Sequence, residues 1–298
     1  MIDSIKTGIA SFGMSGFVFH APLLHVNKGF EIKSIVERNN NNSKIKYSYA
    51  NIVRSCDELC QDKDIELIIV NLPDYLHFDY AKKSLLAGKH VIIEKPFTQK
   101  SEQADELIDI AKKQGLILSV FQNRRWDSDF LTIQNLINDN VFGKLVDYEA
   151  HFDRYRNVIL EGSWKESEDT GAGTLYNLGS HLIDQAIVLF GKPLTVFANI
   201  RKTRPNSKID DNFEIIMSYP GLKVSLKASY LVREPGPKFL IHGTNGSFLK
   251  WGIDRQEQDL KDGLIPNGDD WGKEDSDNWG TLNTTLGENH FEGVVESV

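Results

Sequence analysis

The sequence predicts an α/β protein of two domains, the first a doubly wound parallel sheet and the second an α+β domain on a largely antiparallel open sheet. Three observations carry this. The chain opens on strand, glycine-rich turn and helix; short apolar runs then alternate with helical segments as far as residue 122; beyond 123 longer stretches of period-two alternation take over. At 298 residues the chain also exceeds what one core usually holds, so the division is drawn between residues 1–122 and 123–298.

Ile5 to Ala10 reads as the first strand and runs into Ser11-Phe12-Gly13-Met14-Ser15-Gly16, with a helix starting at Phe17. Glycines in such a turn let the backbone approach a pyrophosphate, which then sits on free N–H groups at the positive end of the helix. Ser11 takes the first glycine position of G-x-G-x-x-G, so the fingerprint is incomplete. Phe30 to Val36 reads as the second strand, and Glu37 follows Gly16 by 21 positions, near the spacing of a ribose-binding carboxylate. A carboxylate there would bond the 2′-hydroxyl of NAD, whereas the guanidinium of Arg38 would pair with the 2′-phosphate of NADP. Both cofactors stay open, with Arg38 favouring NADP; a charged loop entering the polar run Asn39 to Ser43 is the structural alternative.

Ile65 to Leu72 is the next apolar strand, followed by a helix through Tyr80 to Ala87. Asn71 at its carboxyl end and Pro73 and His77 beyond it, the end at which open α/β sheets bind ligands, join Ser11, Gly13, Met14, Ser15, Gly16, Glu37 and Arg38 as candidate cofactor contacts. His90 to Glu94, a Val/Ile run between Gly88 and Pro96, reads as a buried parallel strand whose rim presents Glu94 and Lys95 to a bound cofactor. A solvated strand end is the alternative. A capped helix from Ser101 to Gln114 and a strand from Leu116 to Phe121 close this domain.

After Asn123-Arg124-Arg125-Trp126 a helix is expected near Asp129 to Asn138. Alternating stretches follow at Lys144 to Phe152, Thr195 to Arg201, Phe213 to Tyr219 and Val224 to Val232, the pattern of an antiparallel sheet with one wet face. Among them lies one helical segment, Leu178 to Phe190, preceded by Gly171-Ala172-Gly173. From Asp254 to Glu292 the chain is polar and reads as loops and short strands.

A net charge of -8 and a pI near 5.5 argue against a nucleic-acid-binding face, so small molecules are the expected ligands. No apolar run approaches the roughly 18 residues of a membrane span, and no basic-then-apolar leader precedes the first strand; the cytoplasm is the expected location. Cys56 and Cys60 lie in a segment that Ser55 and Glu58 mark as a helix start, and with no histidine nearby they read as reduced structural thiols rather than metal ligands.

Asn177, His181 and Asp184 are spaced to share one helix face. A neutral imidazole there could accept a hydroxyl proton, since the unperturbed histidine pKa of about 6.5 lets it take and return a proton near neutrality. A core histidine capped by Asp184 is the alternative.

Four segments together resemble the Gfo/Idh/MocA oxidoreductases over nearly the whole chain: Gly8 to Gly16 with Phe19-His20-Ala21-Pro22; Glu94-Lys95-Pro96; Asn123-Arg124-Arg125-Trp126-Asp127; and Gly171 to Asp184. The Arg-Arg-Trp-Asp segment and Phe152-Asp153-Arg154-Tyr155-Arg156 are similar to the scyllo-inositol dehydrogenase-like, NADP-dependent branch. The resemblance implies hydride transfer between a nicotinamide and a secondary alcohol of a sugar or inositol-like polyol, with Lys95 and His181 catalytic and the Lys95–Pro96 bond commonly cis. It implies that Asn123, Arg125 and Trp126 contact cofactor, and that Lys95, Arg124, Asp153, Arg154, Asn177 and His181 contact substrate. Many relatives carry Asp where this chain has Asn177, and an amide cannot supply the charge that would raise the histidine pKa. Relatives usually continue past the position of Val298 with a further helical segment, so a chain shortened at its C-terminus is expected, along with a homo-oligomer formed through the second sheet. A glycosidase that oxidises and re-reduces its substrate, and a cofactor-binding sensor, are the alternative functions within this fold.

Overall fold

The computed structural model describes residues 4–163, 166–167 and 172–298. The chain divides into two compact units, one formed by residues 1–121 with 256–271 and the other by 122–255 with 272–298.

The first unit is built on β1 (Ile5–Ile9), β2 (Phe30–Val36), β3 (Asn51–Val53), β4 (Leu67–Val70), β5 (His90–Glu94) and β6 (Leu118–Phe121). All are parallel, in the order β3-β2-β1-β4-β5-β6. Side chains of a strand alternate between faces, and here both faces are dry. Leu67 and Ile69 of β4 enter a core with Ile9, Ala21, Leu24 and Ile32, while Ile68 and Val70 enter another with Leu59, Ala81, Leu85 and Leu107. Each buried Leu, Ile or Val gains about 1.5–3 kcal/mol, which is why the strands read as continuous apolar runs. The helices that cover them are α1 (Ala21–Val26), α2 (Ser43–Lys46), α3 (Cys56–Gln61), α4 (His77–Leu86) and α5 (Ser101–Gln114). Ser55 caps α3 by accepting the Glu58 N–H, as its spacing predicts. Ser101, by contrast, is the first residue of α5; Lys100 is the cap and gives no side-chain bond. Gly115 ends that helix at φ 66°, a left-handed cap that a Cβ would strain.

The order of strands reverses between β1 and β4, and ligands of open α/β sheets lie at the carboxyl ends of strands flanking such a switch. The expectation of loops and short strands from 254 onward does not foresee that residues 256–271 return to the first unit, where the short helix Gln256–Lys261 packs on the turn Gly16–His20.

In the second unit α6 (Ser128–Asn138) precedes β7 (Leu145–His151), and α7 (Ser180–Phe190) precedes β8 (Thr195–Arg201). Then come β9 (Asn212–Tyr219), β10 (Leu222–Ser229), β11 (Phe239–Gly243), β12 (Gly246–Lys250), β13 (Gly280–Leu286) and β14 (Asn289–Val295). The eight-stranded sheet runs β14-β13-β12-β11-β7-β10-β9-β8, and only β7 and β10 pair in parallel. One face is apolar: Tyr148, Ala150, Val224, Leu226, Phe213, Ile215, Phe239 and Phe248 pack under Ile133 of α6 and Leu182 and Ala186 of α7. The opposite face carries charged ladders, Asp147 with Lys223 and Glu149 with Lys227, each at 2.9 Å. This is the wet face that the period-two alternation predicts.

Candidate active site

In the first unit the glycine turn is shaped by one close approach. A Cβ on Gly16 would lie 2.1 Å from the Ser11 carbonyl oxygen and 2.9 Å from Asn71 Nδ2, so only glycine lets the helix start pass that near β1. A Cβ on Gly13 would meet nothing closer than the Ser11 hydroxyl at 3.4 Å, ordinary contact. Ser11 closes the turn in place of the missing glycine: its Oγ accepts the Gly13 N–H at 3.2 Å, and its carbonyl accepts Asn71 Nδ2 at 2.8 Å. Asn71 Nδ2 also lies 3.4 Å from Ser15 Oγ, and Asn71 Oδ1 is buried with no hydrogen-bond partner among the described residues. Met14 is more than half exposed on this turn. The helix itself opens with a π turn, Ala21 N–H donating to the Gly16 carbonyl.

A cleft of about 660 Å³ lies at the carboxyl ends of β1, β2 and β4, lined by Ser11, Gly13, Glu37, Arg38, Pro73 and Tyr75 among others. A cradle that only glycine permits, an orphaned amide oxygen beside it and this cleft at the strand switch fit a dinucleotide.

Glu37 lines the cleft, but its oxygens are committed elsewhere. Oε2 accepts the Asn42 N–H at 2.8 Å, and Oε1 accepts the Ser43 N–H at 2.9 Å and the Ser43 hydroxyl. Burial alone would raise its pKa; the Ser43 and Asn42 bonds and nearby Arg54 outweigh it and hold the carboxyl below its ordinary value. Glu37 thus organises the loop after β2 while still lining the cleft. Arg54, which the sequence did not flag, completes that loop by donating to the carbonyls of Glu37 and Asn40 at 2.7 and 2.8 Å. Arg38 is exposed and makes no hydrogen bond or ion pair within the described residues.

Lys95, half-buried, follows β5, and the Lys95–Pro96 bond is cis, as the resemblance implies. Glu94 is buried against His20, with Nε2 to Oε1 at 2.9 Å. His77, expected at the cofactor rim, is 1% exposed and bridges two loops, its ring nitrogens 2.8 Å from the Pro96 carbonyl and 2.9 Å from that of Leu72.

In the second unit the helix bearing Asn177 and His181 starts with another π turn, Leu175–Gly179, running into α7. Asp210 anchors that start: it accepts Thr174 Oγ1 at 2.8 Å and the Leu175 N–H at 2.7 Å. Gly173, at φ 116°, has its Cβ position 2.1 Å from Asp210 Oδ1, so a side chain there would expel the anchor. Gly171, part of the same run, lies outside the described residues. Phe152, buried at the end of β7, gathers three candidates: Arg124 and Arg154 lie over its ring at 5.5 and 5.1 Å, and the His181 ring is 6.5 Å away.

Three of the candidates make ion pairs of their own. Arg124, expected to bind substrate, is 6% exposed and held by Asp127 at 3.2 Å, because a desolvated guanidinium needs a carboxylate. Arg125, expected at the cofactor, grips Asp184 with Nε to Oδ2 at 2.7 Å and Nη2 to Oδ1 at 2.6 Å. Asp184 therefore serves the turn Asn123–Trp126 rather than the histidine. Asp153 spends one oxygen on His151 Nδ1 at 2.9 Å. Trp126 is exposed, and Asn123 begins the same turn. Among the described residues no cluster of His, Cys, Asp and Glu could hold a metal ion, and no helix is long and apolar enough to cross a membrane. Cys56 and Cys60 are unbridged, and burial pushes the Cys56 thiol up to about 12.

A glycine cradle and cleft on a doubly wound sheet, followed by an α+β unit with a buried helical histidine, define an oxidoreductase with an NAD-binding Rossmann unit. Residues 5–122 match the family model described as oxidoreductase family, NAD-binding Rossmann fold, and residues 130–249 match the Gfo/Idh/MocA C-terminal domain. The chain belongs to the Gfo/Idh/MocA oxidoreductase family. It is 39% identical over 297 residues to scyllo-inositol 2-dehydrogenase (NADP(+)) IolW of Bacillus subtilis, covering 100% of this chain and 83% of that protein. Identity to the uncharacterized oxidoreductase C115.03 of Schizosaccharomyces pombe is 42% over 291 residues, 93% of this chain and 79% of that one. A crystal structure from Bacteroides fragilis, described at the level of oxidoreductase, superposes with a TM-score of 0.92 at 49% identity, covering 99% of this chain and 85% of that one.

Proposed function

We propose that this protein is an NADP-preferring dehydrogenase acting on a secondary alcohol of an inositol-like polyol or sugar. The observation that carries the reading is the Gly16 cradle beside the cleft, which fits a pyrophosphate, in a chain 39% identical to an NADP-dependent scyllo-inositol dehydrogenase. The nicotinamide, when bound, supplies the redox chemistry. Ser11, Gly13, Ser15 and Gly16 would hold the phosphates, and the unengaged Arg38 would take the 2′-phosphate, Glu37 being satisfied by Ser43 and Asn42. Lys95 is assigned the stabilisation of developing alkoxide charge, since a fixed cation favours the ionised oxygen. His181 is assigned the exchange of the hydroxyl proton. Asn177 and Arg154 are assigned to substrate hydroxyls, which must be paired when buried.

A panel of inositols, aldoses and sugar acids with NAD and with NADP, followed by absorbance of the reduced cofactor, tests the reading. Turnover with an inositol and NADP is expected. Tight cofactor binding with no turnover across the panel would sink it in favour of a sensor.

The same reading puts the protein in the cytoplasm, with residues 1–122 binding cofactor and 123–298 binding substrate. It also has copies associating through the second sheet, whose edge strand β8 exposes Val196, Phe197 and Ile200. Sedimentation at a single-chain mass would remove the association.

A further inference from the structure

We propose that His20 is a positioning residue for Lys95, acting through the Glu94 carboxylate; the inference rests on Lys95 being the catalytic cation. The argument begins with strand parity. Val91 and Ile93 of β5 enter the core under α4, whereas Ile92 packs on the opposite core, which contains Ala21 and Leu24. Glu94 shares the parity of Ile92, so a carboxylate is delivered to the side covered by the helix that begins at Gly16. His20 meets it there.

Both oxygens of Glu94 are used. Oε1 faces His20 Nε2 at 2.9 Å, and Oε2 accepts the Lys95 N–H at 3.1 Å. Burial would raise the Glu94 pKa, but His20 and Lys95 outweigh it and hold the carboxyl below its ordinary value. The carboxylate is therefore ionised and His20 Nε2–H is the donor. His20 is 4% exposed, and its ring lies 4.4 Å from that of Phe121, so it has little room to leave. On the far side of Lys95, His77 holds the Pro96 carbonyl at 2.8 Å.

This arrangement does two things for Lys95. It fixes the Lys95 N–H beside the Cα that bears the side chain, and it keeps a negative charge one residue away, which favours the ammonium form. Removing the His20 donor leaves Oε1 unpaired in the interior, and the carboxyl relieves this by taking a proton or by turning away from the Lys95 N–H. Either response loosens Lys95 and weakens its charge. A histidine present only to fill the core would not need a buried carboxylate opposite it.

The test uses His20→Leu, His20→Gln, Glu94→Gln, the double variant His20→Leu/Glu94→Gln, and Lys95→Met. Lysines are labelled by reductive ¹³C-methylation, and the Lys95 resonance is identified by its loss in Lys95→Met. Its titration midpoint is then read together with kcat and, by calorimetry, cofactor Kd. His20→Leu and Glu94→Gln should each lower the midpoint by about one pH unit. They should also reduce kcat by about tenfold or more, with cofactor Kd changed by less than about threefold. His20→Gln, which retains an N–H donor, should recover most of the loss, and the double variant should be no worse than the worse single one. An unchanged midpoint in both single variants, or additive losses in the double, overturns the proposal. If His20→Leu does not fold, His20→Gln and Glu94→Gln carry the test. Should Lys95→Met keep wild-type turnover while the midpoint still moves, the catalytic assignment of Lys95 fails and the positioning role stands.

Discussion

Arg125 holds Asp184 through two hydrogen bonds, at 2.7 and 2.6 Å, and so joins the turn Asn123–Trp126 to the helix that carries His181. One residue further along that helix, Gln185 Nε2 donates to the Arg124 carbonyl at 2.8 Å. Two successive residues of α7 thus grip two successive residues of the turn, and the register of His181 depends on both.

Asp184→Asn should therefore lower kcat more than it lowers stability. The Arg125 side chain is nearly half exposed, and exposed pairs contribute at most about 1 kcal/mol, which for a chain of this size moves Tm by about 2–4 °C. Loss of the fork would let α7 shift against the turn and misplace His181, for which about a tenfold fall in kcat is expected. Calorimetric Tm alongside kcat decides it; a large fall in Tm with unchanged kcat would mean the pair serves stability alone.

Arg38→Ala should weaken NADP binding by about tenfold to a hundredfold while leaving NAD binding within about threefold, the range of one charge-assisted bond to phosphate. The expectation follows from Glu37, whose oxygens are taken by Asn42 and Ser43 and so do not oppose the 2′-phosphate by reaching for the ribose. NADP affinity should also fall with added salt more steeply than NAD affinity, because Arg38 is exposed and screened. Equal losses for the two cofactors in Arg38→Ala would remove the argument.

Much of the first unit was legible because its physics is local. Buried parallel strands leave continuous Val/Ile runs, and β5 and α5 carry the bounds expected from them. The family, too, could be read, because its motifs lie in short contiguous stretches. What escaped depends on pairings distant in sequence. Nothing in the segment around Arg54 says that its guanidinium will meet the carbonyls of residues 37 and 40, and nothing in Phe152 announces that it will sit under both Arg124 and Arg154. The hairpin β13–β14 was read as loops and short strands because its residues are mostly polar and exposed, leaving little hydrophobic period to detect. His20 was named within a motif but had no partner until β5 supplied Glu94.

His151 gives a pH dependence with a definite sign. Its two ring nitrogens face Asp153 at 2.9 Å and Glu149 at 2.6 Å. Burial disfavours its cation, but the two carboxylates outweigh burial and raise its pKa above 6.5. A histidine raised on folding contributes stability that is fully present below the unfolded value and is lost as pH rises through the folded one. Each unit of displacement is worth about 1.4 kcal/mol. Stability in urea should therefore decline as pH rises above the ordinary histidine value of about 6.5, and His151→Gln should flatten that decline. A slope unchanged in the variant would assign it to another group.

In the reaction proposed above Lys95 and His181 carry the chemical step, and the two should fail differently. Lys95→Met keeps the length of the side chain and removes its charge, so loss of alkoxide stabilisation should cut kcat by about a hundredfold or more. Cofactor Kd should stay within a few fold, because the proposed phosphate site is the Ser11 to Gly16 turn and not β5. His181→Asn keeps a polar group of similar reach but cannot exchange a proton near neutrality, so it should lower kcat on the same scale. It should also flatten the acidic limb of the pH–rate profile, which Lys95→Met should leave in place, since a lysine ammonium does not titrate there. Asn177→Asp adds a discriminating arm: a carboxylate one turn from His181 should favour the imidazolium and move that limb to higher pH. If Lys95→Met and His181→Asn both retain near wild-type turnover on the substrate the panel identifies, the catalytic groups lie elsewhere in the chain.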